Sequence, residues 1–167
     1  PAVAVMNGAD SQSVHASDLS LFATLLGCAV DRTMTFESLG VSVPSEHSRF
    51  MDGAESETDR IAGAMLCLKY LSTPGINTYF IEFRRELYSR VEFYRDELAA
   101  ALAQQVEVLG GATYEVRDVR GVIADMVATD SEEDFMFVNL PGQAGGYTKM
   151  YGPAESRMWL PTLPELE

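Results

Sequence analysis

One stretch of this chain constrains its fold more than any other. From Ile76 to Leu109, Phe80, Phe83, Leu87, Val91, Tyr94, Leu98, Leu102, Val106 and Leu109 fall three or four positions apart. That spacing lines a single face of an α-helix. At 1.5 Å per residue the helix would run roughly 50 Å, longer than the diameter of so small a protein. Part of the stripe is therefore expected to be covered by another helix or another chain. Aromatic side chains crowd the first half, Tyr79 to Tyr94, which reads as a core spine. The second half, Leu98–Leu109, is rich in alanine, whose small side chain favours helix and permits close approach.

Two further helices are expected upstream. Ser17 stands where it could cap a helix over Asp18–Val30, with Leu19, Phe22, Leu25, Leu26 and Ala29 on one face. Ser56 and Asp59 have capping-box spacing at the head of a helix over Glu55–Leu71, whose stripe is Ile61, Met65, Leu68 and Leu71. Ser72-Thr73-Pro74-Gly75 breaks that helix, and Thr73 or Asn77 caps the next. The connection from Asp31 to Gly53 is long for a structureless loop, so a short helix or strand is expected within Phe36–Val43.

Beyond Gly110-Gly111, a C-cap pair, the hydrophobic period changes from 3.6 to 2. Thr113–Val119 alternates like a half-buried strand, and Phe135–Leu140 with Tyr147–Tyr151 reads as a hairpin. Gly121–Thr129 fits a strand or a short helix equally. The expected fold is α+β: three main helices including the long one (about 76–109), then a small antiparallel sheet. One domain would span residues 1–151 with an N-terminal arm at 1–16, followed by an extended C-terminal tail at 152–167. Pro153, Pro161 and Pro164 punctuate that tail around Met158, Trp159 and Leu160.

The 167 residues carry 12 basic and 25 acidic side chains, a net charge of −13. Nucleic acid and anionic membranes attract Lys and Arg, so this balance argues against direct nucleic-acid binding and against a membrane surface. No apolar run reaches the roughly 20 residues of a membrane span, and no leader is evident. Lys69 and Lys149 are the only lysines; the other bases are arginines, which suit protein contacts as well as a GC-rich coding source. Cys28 and Cys67 sit apart in apolar helical context and read as buried thiols, with a disulfide open in an oxidising compartment.

Chemistry-bearing motifs are sparse. Gly142–Gly146 lacks the Lys-Ser/Thr end of a phosphate loop. The acidic run Asp130–Asp134 lacks the spacing of a calcium loop. His15 and His47 sit among serines without a nucleophile elbow, and no helix shows a His-x-x-x-His pattern. No catalytic, cofactor-binding or metal-ligating residues are therefore assigned, and no cofactor is expected.

The overlong helix, the two arms and the missing constellation point to a structural or assembly protein, such as a viral or phage particle component. Its partners would be copies of itself or a larger assembly, meeting at Leu98, Leu102, Val106, Leu109, Met158, Trp159 and Leu160. Two alternatives stand beside this. One is a small enzyme or ligand-binding domain with a site built from loops, for which His15, His47 and Asp52 are the first residues to test. The other is an acidic regulator that binds a basic protein surface.

Overall fold

The computed structural model describes residues 14–109, 111–129 and 152–159. Strand β1 (His15–Asp18) leads into helix α1 (Leu21–Val30), and two 3-10 segments follow at Glu37–Leu39 and Ser45–Met51. Helices α2 (Glu57–Ser72), α3 (Thr78–Ser89) and α4 (Val91–Leu109) build the body. Strand β2 (Thr113–Val116), helix α5 (Val119–Thr129) and a short helix α6 (Gly152–Glu155) complete the described elements.

Local chemistry sets the helix starts. Ser20, not Ser17, caps α1: its hydroxyl accepts the Ala23 N–H at 3.3 Å, while Asp18 Oδ1 accepts the Ser20 N–H at 2.8 Å. Residues 17 and 18 are left to the strand. The Ser56–Asp59 capping box forms with both bonds at 3.0 Å, which satisfies two otherwise orphaned donors. Thr73 closes α2 by donating its hydroxyl to the Lys69 carbonyl at 2.7 Å, and Asn77 opens α3 by accepting the Phe80 N–H at 3.0 Å.

The single long helix is corrected to two. Arg90 leaves helical geometry (φ −122°, ψ 34°), ending α3, and α4 starts at the next residue. The Ser89 hydroxyl bonds back to the Glu86 carbonyl at 2.9 Å, the kind of local competition that bends helices. The apolar stripe nevertheless carries through the break. Leu87 and Val91 are buried on either side of it, and every other stripe residue from Phe80 to Leu109 is at least half-buried. Two shorter helices thus wrap one core, where a straight rod would have overshot it.

The expected antiparallel sheet is also corrected. Among the described residues the sheet has two strands, and they run parallel, with His15 opposite Thr113 and Asp18 opposite Val116. Parallel partners require a crossover, and here the helices α1 to α4 lie between them in sequence. Gly121–Thr129 belongs to helix α5, and Phe36–Val43 contains only a 3-10 turn. The predicted strands at 135–140 and 147–151, the acidic run and the glycine turn lie outside the described residues.

Helix α2 is the hub, packed against α1, α4, α6 and the second 3-10 segment. Ile61, Ala62, Gly63, Ala64, Met65, Cys67 and Leu68 are all buried, more than one amphipathic face would provide. Gly63 is required by a close approach: a Cβ there would lie 2.4 Å from the Phe50 carbonyl oxygen. Cys28 and Cys67 are free buried thiols whose pKa burial pushes up to about 12, which keeps them protonated and unreactive.

The C-terminal stretch is not an extended tail where it is described. Helix α6 is followed by Met158 and Trp159, both buried in the core with Ala154. The Trp159 indole N–H donates to the Leu39 carbonyl at 2.9 Å, and the Ser42 N–H donates to the Met158 carbonyl at 2.8 Å. Tryptophan buries a large area and needs a partner for its one polar atom; both demands are met within the same chain.

Candidate functional site

Three elements converge on an open cleft of about 540 Å³ lined by Arg49, Tyr70, Ile81, Arg84, Arg85 and Tyr88, with Ser89 at its edge. The second 3-10 segment contributes Arg49, the last turns of α2 contribute Tyr70, and α3 contributes the rest. Arg84 and Tyr88 are one helical turn apart, so they project from the same face of α3.

The floor is aromatic. Phe50 is fully buried, with its ring centroid 5.5 Å from that of Tyr70 and 5.7 Å from that of Tyr88. The two tyrosines are 5.7 Å apart, and His47 approaches Tyr70 edge-on at 5.2 Å. Two guanidiniums cover this floor: Arg84 Cζ is 4.2 Å from the Tyr70 centroid and Arg49 Cζ is 5.4 Å from that of Tyr88. Both lie within cation–π range.

The charge balance of the cleft runs opposite to that of the molecule. Arg60, Arg90, Arg117, Arg120 and Arg157 are paired with Glu57, Glu86, Asp125, Asp118 and Glu46 respectively. Arg85 at the cleft wall pairs with Glu82. Arg49 and Arg84 have no carboxylate partner among the described residues; Arg49 makes only a long contact, 3.5 Å, to the Ser89 carbonyl. In addition, Arg84 Nε and His47 Nδ1 are buried polar atoms without a hydrogen-bond partner among the described residues. Buried polar atoms ordinarily find partners. Arg84 lines the cleft, whereas His47 lies behind Tyr70; one such atom with two uncompensated cations suits an anionic ligand that also has a flat apolar face.

The residues singled out from sequence fall elsewhere or only at the edge. The His15 ring is engaged with Thr113 Oγ1 at 2.8 Å and with Glu115 at 3.4 Å. His47 stands against the cleft floor. The Asp52 carbonyl accepts from the buried Arg95 guanidinium. No hydrogen bond joins His15, His47 and Asp52 to one another, so they do not form a triad. Of the expected interface set, Leu102, Met158 and Trp159 are buried within the chain's own core, Leu98 packs against it, and Val106 and Leu109 are half-buried. Leu160 lies outside the described residues. No group of three or more His, Cys, Asp or Glu side chains is placed to hold a metal ion among the described residues. No described helix is long and apolar enough to cross a membrane.

The cleft residues were not recognisable individually. The sequence signal was the Arg84–Tyr88 spacing and the excess of arginine over lysine, but only the fold brings Arg49 and Tyr70 to the same place.

A mostly helical domain with a cationic, aromatic-floored cleft is what these elements define. The chain belongs to the family described as Phage DNA Adenine Methylase-like domain 1, whose model matches residues 2–162. No curated protein and no solved structure matches it. The family membership corrects the expectation of a structural particle component: a DNA methylase-like domain agrees better with the alternative of a small enzyme or ligand-binding domain. Only the phage connection of the first expectation is retained. The family description also runs against the expected absence of nucleic-acid contact. That expectation rested on net charge, which sets the average field but not the potential inside one cleft.

Proposed function

We propose that this domain recognises nucleic acid in phage DNA adenine methylation, through the cleft formed by Arg49, Tyr70, Arg84 and Tyr88. The observation that carries this reading is the pair of carboxylate-free guanidiniums stacked on adjacent tyrosines in a protein of net charge −13. Arginine binds phosphate through a rigid fork of donors and also stacks on flat rings. Arginine beside aromatic rings is the combination that sequence-tolerant binding of exposed bases uses. The two unpaired guanidiniums, Arg49 and Arg84, disfavour a cationic methyl donor, so the cleft is assigned to nucleic acid.

The test is fluorescence anisotropy with a labelled adenine-containing single strand at low salt. Wild-type protein should bind, and the Arg49→Ala/Arg84→Ala double variant should lose at least tenfold in affinity. With about two phosphates neutralised on a single strand, log affinity should fall against log salt with a slope of about −1.4. Binding that ignores the double substitution would remove the cleft from the function.

A further inference from the structure

We infer that residues 152–159 form an acid-tightened strap, seated on the start of α1 and on the chain around Leu39–Glu46, which opens on its own more often as pH rises. The strap owes nothing to the nucleic-acid reading above.

It is held as a docked peptide would be. Its side-chain fastenings reach residues 111 to 134 positions away in sequence. At one end Glu155 Oε1 accepts the Leu21 N–H at 2.9 Å. In the middle Arg157 pairs with Glu46 of the second 3-10 segment, also at 2.9 Å. At the other end the Met158 carbonyl accepts the Ser42 N–H at 2.8 Å, and the Trp159 indole donates to the Leu39 carbonyl at 2.9 Å. Ala154, Met158 and Trp159 supply the buried apolar contact. A short segment fastened at separate points can lift as a unit while the helices beneath stay folded, because a local opening costs only the contacts it breaks.

One of these fastenings is electrostatically divided. The Glu155 carboxyl is half-buried and faces the first N–H groups of α1, those of Leu21 and Phe22. A helix N-terminus favours a negative charge. Burial opposes it and prevails, which raises the carboxyl above its ordinary range. β1 adds Asp18, a like charge, whose Oδ1 accepts the Ser20 N–H at the same helix entrance. No cation pairs with Glu155 among the described residues; Arg157, two positions on, turns to Glu46. Helix α2 meets α6 through the buried apolar cluster that includes Ala154.

Released into water, the Glu155 carboxyl returns to about 4.3. Protonation therefore favours the seated strap over the lifted one. Seating is fullest below that value and weakens as pH rises through the raised one. Two of the fastening protons, the Ser42 N–H and the Trp159 indole N–H, become free to exchange with solvent when the strap lifts.

The experiment is hydrogen exchange by NMR on the full chain between about pH 5 and pH 7, the side of the ordinary Glu value on which seating weakens. Rates are expressed as protection factors, which removes the intrinsic pH dependence of exchange. Protection of the Ser42 and Trp159 protons should fall by roughly threefold or more toward neutral pH. The Met65 amide, in the middle of α2, should keep its protection. Glu155→Gln should leave both strap protons protected and level across the range. Asp18→Asn removes the neighbouring charge, so it should make the fall shallower, and it serves as the second variant should Glu155→Gln fold poorly. Arg157→Ala cuts a different fastening and should lower protection at every pH without changing the slope.

Level protection in the wild-type protein would overturn the inference. So would a fall that survives both Glu155→Gln and Asp18→Asn, since it would then belong to neighbours such as Glu46 and His47. A parallel loss at Met65 would overturn it as well, because the event would be unfolding of the whole domain and not the lifting of a strap.

Discussion

The Arg84 guanidinium lies 4.2 Å above the Tyr70 ring with no carboxylate beside it among the described residues. Most arginines of this acidic protein are paired; this one rests on an aromatic face. Removing it should therefore hardly affect folding. A partly exposed cation–π contact contributes about 0.5–1 kcal/mol, so Arg84→Ala should shift the urea midpoint only slightly. Arg84→Lys should restore the charge but not the forked, planar stack, leaving ligand affinity well below wild type. Chemical denaturation and binding measured on the same preparations separate the two effects.

Gly27 has a demanding neighbour. A Cβ at this position would sit 2.2 Å from the Tyr114 ring, whose hydroxyl donates to the Asp18 carbonyl at 3.0 Å and so ties β2 to the end of β1. Gly27→Ala should destabilise the fold by about 1–3 kcal/mol through overpacking. Combining it with Tyr114→Ala should recover part of the loss in a double-mutant cycle. Strict additivity would show that the added methyl group does not meet the ring.

Two carboxylates should give stability opposite pH dependences. The Thr33 side chain, and then the Tyr114 N–H, hold Asp31 below its ordinary range. A depressed folded pKa gives stability that is present above the unfolded value of about 3.9 and lost as pH falls through the folded one. Burial instead raises Glu155, whose carboxylate accepts the Leu21 N–H at 2.9 Å. Its contribution is fullest below the unfolded value of about 4.3 and is lost as pH rises through the raised one. Thermal melts across this range should show Asp31→Asn flattening the acid side. Glu155→Gln should flatten the opposite slope and be at least as stable as wild type at neutral pH.

Trp159 should behave as a core residue. Trp159→Ala removes a buried ring and leaves the Leu39 carbonyl without its indole donor, for an expected cost of about 3–5 kcal/mol. Because Trp159 sits among core residues of the same chain, the loss should be independent of protein concentration in thermal unfolding. A melting temperature that rises steeply with concentration would instead point to a second chain covering this residue.

Much of the helical frame was legible in the letters, because the forces that make it are local. The Ser56–Asp59 capping box forms as its spacing implied, and the stripe from Phe80 to Leu109 is the face that turns inward. A pattern of apolar residues reports which face is buried, but not whether the backbone stays straight beneath it. The bend at Arg90 was hidden for that reason. Strand pairing was misread because alternation marks a half-buried strand without naming its neighbour, and β2 pairs with β1 across four intervening helices. Trp159 and the stripe residue Leu102 read as surface for another subunit, since sequence cannot show that α6 folds back on α2.

Net charge says little about any single cleft. It is a sum over the chain, whereas binding depends on where each charge stands and on what neutralises it. Helices, caps and the inward face follow from residues three or four positions apart and could be read directly. The cleft depends on Arg49, Tyr70 and Arg84, which belong to three elements and meet only because α2 and α3 pack around Phe50 and Leu87. Short-range hydrogen bonding and hydrophobic period are written locally; the meeting of distant side chains is a product of packing.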